Sequence, residues 1–143
     1  MVSATFDTKK LIETLQKFPK NIQKNVMVGA VRAGANVIRD EVRRKVPIKT
    51  GALKKSIVSI QRKAQNGLIT FSVTPSRGGN NDGWYAHFVE FGTSHSSAKP
   101  FMRPAFEQSN NESLEASKKY IAERIPQELA KAKQWQKVKY IYY

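Results

Sequence analysis

Apolar positions in this chain recur with a helical period near both ends and with a two-residue period between them. Leu11, Ile12 and Leu15 make a short helical stripe within residues 7–17; Asp7 or Thr8 stands where an N-cap belongs, and Pro19 stops the run. A longer helix is predicted from about Asn21 to Lys45. It carries Ile22, Val26, Ala30, Ala33 and Val37 on one stripe and Met27, Val31, Gly34, Ile38 and Val42 on a second beside it, a pattern that predicts burial over a broad face. Gly29, Ala30, Ala33, Gly34 and Ala35 concentrate small residues in its middle. Glycine costs a helix interior about 1 kcal/mol relative to alanine, so close approach of a neighbouring element is the expected compensation.

Val46-Pro47 ends that helix, and Gly51 punctuates the turn that follows. The period then changes. SIVSIQRKA and GLITFSVTP alternate and are β-branched, and Asn66-Gly67 between them is a hairpin signal. SRGGNNDG reads as a polar hairpin tip, and WYAHFVEF as a third strand, with Trp84, Ala86, Phe88 and Glu90 alternating against Tyr85, His87, Val89 and Phe91. Apolar residues on both faces predict a strand covered on both sides. Gly92 ends it and TSHSSAK forms a second loop. Pro104 suits the first position of a C-terminal helix, in which Phe106, Leu114, Ile121, Ile125, Leu129 and Ala132 keep phase across Pro126, predicting a kink or short break there. The tail WQKVKYIYY alternates basic and aromatic residues, as a strand would. The order predicts an α+β fold: an antiparallel β-meander sheet packed by a long helix of the N-terminal half and by a C-terminal helix. One domain is expected over 1–143, with its core at about 8–130, a flexible loop at 75–83 and a basic-aromatic tail at 135–143.

Charge changes the picture more than size does. The chain has 143 residues, and its 25 Lys and Arg against 11 Asp and Glu leave a formal +14. Such an excess attracts anionic partners, either nucleic acid or an acidic protein surface. The densest cluster is Arg39, Arg43, Arg44, Lys45, Lys49, Lys54, Lys55, Arg62 and Lys63, with Arg77 further on. Arg39 and Arg43 are four apart on one helix and repel, so a stripe kept despite repulsion points to an anionic partner. No helix-turn-helix spacing, zinc finger or aromatic RNA platform accompanies it, so DNA contact would go to phosphates and weaken with salt. With no cysteine, neither a disulfide framework nor a thiolate zinc site is available. No apolar run reaches the length of a signal peptide or a membrane span, so a cytoplasmic origin and no membrane partner are expected.

Catalytic chemistry finds little support. His87 and His95 are the only histidines, and neither sits at a metal-ligand spacing. Ser94, Ser96 and Ser97 flank His95 without a GxSxG elbow, and Asp40, Glu41, Asp82, Glu90 and Glu107 are scattered. SRGGNNDG lacks the order of a phosphate loop. The expectation is no enzyme, no metal and no cofactor.

Two motifs stand together: VPIKTGALKKSI at 46–57 and YAHFVEFGTSHSSAKPFMRPAF at 85–106. In combination they resemble the small neck, or tail-completion, proteins of long-tailed bacteriophages and prophages, the gpZ-like group. The resemblance implies a non-enzymatic virion protein, made in the bacterial cytoplasm and placed in the phage neck. There it would form a ring, hexameric or dodecameric, between a head-closure or connector protein and the tail terminator or tail tube, with transient DNA contact in the lumen. In that frame Pro47, Thr50, Gly51 and Leu53 shape the turn from helix to sheet, with Leu53 and Ile57 entering the core. Tyr85, Glu90, Phe91 and Gly92 form and end the third strand, Glu90 being a partner for a nearby basic residue. Pro100 to Pro104 set a rigid approach to the last helix, burying Phe101, Met102 and Phe106. The exposed remainder supplies interface candidates: Thr93, Ser94, His95, Lys99 and Arg103 in and after the loop, and Trp135, Tyr140 and Tyr142 in the tail, which would extend a partner's sheet or pack on an adjacent subunit. The rival reading is a small basic accessory protein that binds nucleic acid through phosphates.

Overall fold

A computed structural model describes residues 8–141, with side-chain surroundings for 9–134. Helix α1 (Thr8–Gln16) turns at Phe18-Pro19 into α2 (Lys20–Lys45), with Pro19 in extended geometry at the N-cap. Gln23 secures the corner: its side-chain amide donates to the carbonyls of Gln16 at 3.1 Å and Phe18 at 2.6 Å, satisfying groups that the end of α1 leaves unpaired. The chain continues through α3 (Ala52–Ser56), β1 (Ile57–Gln61), β2 (Phe71–Pro75), α4 (Ala86–Phe91) and α5 (Met102–Ile141).

The α+β class agrees with the sequence pattern, and so does the hairpin. β1 and β2 pair antiparallel from Ile57 opposite Pro75 to Gln61 opposite Phe71. Asn66 and Gly67 both have positive φ, at 51° and 75°, as a two-residue hairpin turn requires. The third strand does not exist. Residues 86–91 are helical instead, so the sheet has two strands rather than a meander, and Gly92 ends a helix rather than a strand. SRGGNNDG accordingly joins a strand to a helix and is no hairpin tip. Its ends are drawn together where the Gly83 N–H donates to the Ser76 carbonyl at 2.8 Å.

The small residues of α2 have the compensation they need, because α5 packs directly against them. Ser113 Oγ donates to the Gly34 carbonyl and Ser117 Oγ to the Ala30 carbonyl, each at 2.9 Å. A Cβ on Gly34 would lie 2.9 Å from Ser113 Oγ and 3.0 Å from the Ser113 carbonyl oxygen; one on Gly29 would overlap the Tyr120 ring. From Phe101, just ahead of α5, the inward line of the helix advances four residues at a time through Ala105, Ser109, Ser113, Ser117, Ile121 and Ile125, all buried or half-buried, the row of side chains that forms a packing ridge on a helix. The expected stripe of larger residues is displaced from it: Phe106, Leu114 and Leu129 are exposed, and Met27 on α2 likewise. Pro126 lies inside α5 without ending it, and α5 stays helical through Ile141, which removes the strand expected in the tail.

Two apolar clusters result. Val42, Val46, Leu53, Ile57, Ala86, Phe101 and Ala105 surround the end of α2, while Leu15, Val26 and Ile125 join α1, α2 and α5. Leu53 and Ile57 are buried, as the turn at Thr50-Gly51 predicts. Gly51 takes φ 79° as it caps the short α3, and Thr50 Oγ1 accepts the Ala52 N–H at 3.3 Å.

Candidate assembly interface

The second motif is built around Glu90. One of its carboxylate oxygens accepts the N–H groups of Phe101 at 2.7 Å and Met102 at 3.0 Å, and the other accepts that of Arg103 at 3.1 Å. A helix start leaves its first N–H groups without intrahelical partners and carries partial positive charge, so one carboxylate answers both needs of α5. Burial pushes the Glu90 pKa upward, but the three backbone hydrogen bonds outweigh it and hold the group below the usual carboxylate value. The basic side-chain partner expected for Glu90 is thus replaced by backbone. Pro104 falls within the first turn of α5 rather than at its first residue, still among positions whose N–H would be unpaired.

This latch fixes α4 beside the start of α5, with Gly92 as the joint between them. Gly92 adopts φ 76° and ψ 179°, a region open to glycine alone, and a Cβ there would lie 2.7 Å from the Ala98 nitrogen. The loop beyond is also tied. Thr93 and Ser96 form an isolated bridge, the His95 N–H donates to Thr93 Oγ1 at 3.2 Å, and the Lys99 N–H returns to the Val89 carbonyl at 2.8 Å. Thr93, Ser94, His95 and Lys99 therefore stand together on one exposed, well-braced loop, and Arg103, exposed at the start of α5, pairs with Glu107 at 3.2 Å.

Because 84–91 enters a helix, its residues sort by helical period. Tyr85, Ala86 and Val89 turn to the core, while Trp84, Phe88 and Phe91 lie outward at 58%, 43% and 82% exposure. Trp84 meets Phe88 edge to face with ring centroids 6.0 Å apart. Trp84 and Phe91 also line a shallow cavity of about 370 Å³ with Arg77 and Arg103. The interface candidates read from the sequence omit these three aromatics, whose spacing at i, i+4 and i+7 sorts them to one side only once helical phase is known. Of the tail candidates, Trp135 and Tyr140 belong to α5 by backbone, with side chains outside the described set, and Tyr142 lies outside the described residues.

The basic cluster divides. Arg39 is bound to Asp40 at 2.8 Å and to Asn36, and Arg44 and Lys45 share Glu41, whose pKa is lowered chiefly by its hydrogen bond from Arg44. Arg43 turns inward, where Nε and Nη2 both donate to the Ile57 carbonyl, at 3.0 and 2.6 Å. Arg39 and Arg43 thus both have partners within the chain, a carboxylate for one and a carbonyl for the other. Arg62 donates to Ser72 Oγ across the hairpin. Lys49, Lys54, Lys55, Lys63 and Arg77 are exposed, and none is in an ion pair among the described residues. His87 Nδ1 lies 3.1 Å from the Trp84 carbonyl, and His95 sits on the braced loop; among the described residues no group of three His, Asp or Glu is placed to hold a metal.

Comparison with protein families makes the class definite: the profile described as "Bacteriophage HK97-gp10, putative tail-component" matches residues 9–92. This chain belongs to that HK97-gp10-like family, and a structural role in the virion follows from the membership. Searches of curated proteins and of solved structures gave no match. The family match ends at Gly92, so the loop 93–99 and α5 lie beyond it. Among the described residues no helix is long and apolar enough to cross a membrane.

Proposed function

We propose that the chain is a neck protein of the virion, joining the head connector to the tail as one subunit of an oligomeric ring. The observation that carries the reading is the outward face at α4: Phe91 is 82% exposed, and Trp84, 58% exposed, lines the same shallow cavity. Large aromatics clustered at a surface fit a protein interface, where such residues supply most of the binding energy. α4 is held by the Glu90 latch, so the face is presented without a large ordering cost. In a closed ring this face would meet a different surface of the neighbouring subunit, a heterologous contact. The head-closure or connector protein and the tail terminator or tube would cover the two rims of the ring.

The exposed cations Lys54, Lys55 and Lys63 suit a lumen through which DNA passes. They are also the observation that favours the second reading, a phosphate-binding accessory protein. Quantitative mass spectrometry of purified particles separates the two. A small fixed ratio of this chain to the portal protein is the result expected of a neck subunit. Its absence from intact tailed particles overturns the neck assignment and leaves nucleic-acid binding as the leading account.

A further inference from the structure

The two sequence motifs, far apart in the chain, meet as the walls of a cleft of about 520 Å³. The α2–α3 turn supplies Pro47, Lys49, Thr50 and Leu53; α4 and its loop supply Phe88, Val89, Ser96 and Lys99. The chemistry of the lining is uneven. Leu53, Phe88 and Val89 make it partly apolar, the hydroxyl-bearing residues Thr50, Tyr85, Thr93 and Ser97 border it, and each wall contributes one lysine. No carboxylate lines the cleft, and neither Lys49 nor Lys99 has an ion-pair partner among the described residues. The nearest carboxylate on α4, Glu90, is committed to three backbone N–H groups and opens onto a different cavity. The volume is that of a site for a small ligand or a few side chains, with an apolar body and a small number of placed polar groups.

We propose that this cleft is a peptide-docking site for an extended acidic segment of a partner protein. A Glu or Asp side chain would lie between Lys49 and Lys99, with an adjacent apolar side chain on Leu53, Phe88 and Val89. Charge complementarity selects the occupant: a chain of net +14 whose cleft presents two unpaired cations favours an acidic partner over a second copy of itself. The apolar lining argues for peptide over nucleic acid, since a phosphodiester backbone offers it no matching apolar group. Both walls are braced, by Gly51 and Thr50 on one side and by the Thr93–Ser96 bridge and the Lys99–Val89 hydrogen bond on the other, so the cleft is formed before a partner arrives. Only the source of the peptide, a neighbouring virion protein, rests on the neck reading.

The test uses the isotopically labelled full chain and a synthetic octapeptide alternating glutamate with leucine, with a glutamine-for-glutamate peptide and a short DNA duplex as comparisons. The expected result is amide shift changes at Gly51, Thr93, Ser96 and Lys99 with the glutamate peptide. They should be absent with the glutamine peptide, and the double variant K49Q/K99Q should bind about tenfold more weakly. Both lysines are exposed, so that variant should otherwise keep the wild-type spectrum. Shifts at these residues with duplex but not peptide would assign the cleft to phosphate and overturn the proposal; so would no shift with either. Particle composition reads the neck assignment separately: a chain present in particles that ignores the peptide sinks only the docking site, and a peptide-binding chain missing from particles sinks only the neck.

Discussion

Glu90 reaches Phe101 across the whole 92–100 loop, accepting its backbone N–H at 2.7 Å and so fixing where the longest helix begins. Glu90→Ala removes the shared acceptor for three amide groups, and hydrogen bonds to a charged group contribute about 1.5–3 kcal/mol. Non-additivity keeps the total near one such bond, so a loss of about 2–3 kcal/mol is expected in urea unfolding. Glu90→Gln should retain part of it. The pH dependence has a definite sign. The folded-state pKa is depressed, so the contribution is complete above the ordinary carboxylate pKa and is lost as pH falls through the lowered value. Acid unfolding of Glu90→Gln should therefore begin from a lower plateau and lack that component; an unchanged acid limb would show that the latch does not stabilise the fold.

Gly51 and Gly92 offer a controlled pair. Both have positive φ, but a Cβ at Gly51 meets nothing within 4 Å, whereas one at Gly92 runs into the backbone of Ser96 and Ala98. Gly51→Ala should cost about 1 kcal/mol, for the left-handed conformation alone. Gly92→Ala adds backbone overlap and a forbidden ψ, so about 3 kcal/mol or more is expected, together with new amide positions for Thr93–Lys99. Equal losses in the two variants would refute this account.

The seam between α2 and α5 predicts a counterintuitive result for Gly34→Ala. Alanine is the better helix former by about 1 kcal/mol, yet its methyl would press on Ser113 and Ser117, including the Ser113 backbone. Overpacking of this kind costs about 1–3 kcal/mol, so net destabilisation is expected in thermal unfolding. At Gly29 the obstacle is the tip of the Tyr120 side chain, which can swing, and the loss should be smaller.

Those same elements show what sequence reasoning can reach. Hairpin, helix breaks and the small-residue stripe are legible because turn residues and packing voids leave local chemical marks: Asn66-Gly67, Val46-Pro47, Gly34. WYAHFVEF misleads because aromatics in alternation mimic a strand, and a six-residue helix is too short to announce a period. Its outward set Trp84, Phe88, Phe91 and inward set Tyr85, Ala86, Val89 become separable only once helical phase is assumed. On α5 the inward line is hidden because Ser109, Ser113 and Ser117 do not register as apolar, although the closeness to α2 is what Ser113 and Ser117 provide. The division of the basic cluster is illegible for another reason: whether an arginine faces water, a carboxylate or a carbonyl depends on tertiary neighbours, as Arg43 and Ile57 illustrate.

That division can be measured. Arg43→Ala leaves the buried Ile57 carbonyl without its two N–H donors and should cost about 1–3 kcal/mol. Arg43→Lys should rescue little, since an ammonium cannot reproduce the fork. The triple variant K54Q/K55Q/K63Q removes exposed charges and should stay within about 0.5 kcal/mol of wild type. If these lysines meet phosphates, the same variant should flatten the salt dependence of duplex affinity by about 0.9 for each phosphate no longer neutralised, while Arg43→Ala leaves the slope unchanged.

The aromatic face of α4 gives the sharpest separation of folding from assembly. Phe91 contributes almost no buried area to the isolated chain, so Phe91→Ser should unfold within about 0.5 kcal/mol of wild type. Trp84→Ala should cost more, up to about 2 kcal/mol, because the indole is 58% exposed and gives up its buried part together with its edge-on packing on Tyr85 and Phe88. In an interface, truncating an anchor aromatic costs about 2 kcal/mol or more, which is roughly thirtyfold at each subunit junction and is repeated around a closed ring. Particles complemented with Phe91→Ser should therefore lack the protein and accumulate unjoined heads and tails, although the variant is folded and present at normal level in the lysate. The controls are Lys54→Gln, which should be incorporated, and Gly92→Ala, whose incorporation should fall in step with its lowered stability. Normal incorporation of Phe91→Ser together with Trp84→Ala would remove this face from the assembly, and the loop 93–99 would take its place as the surface to test.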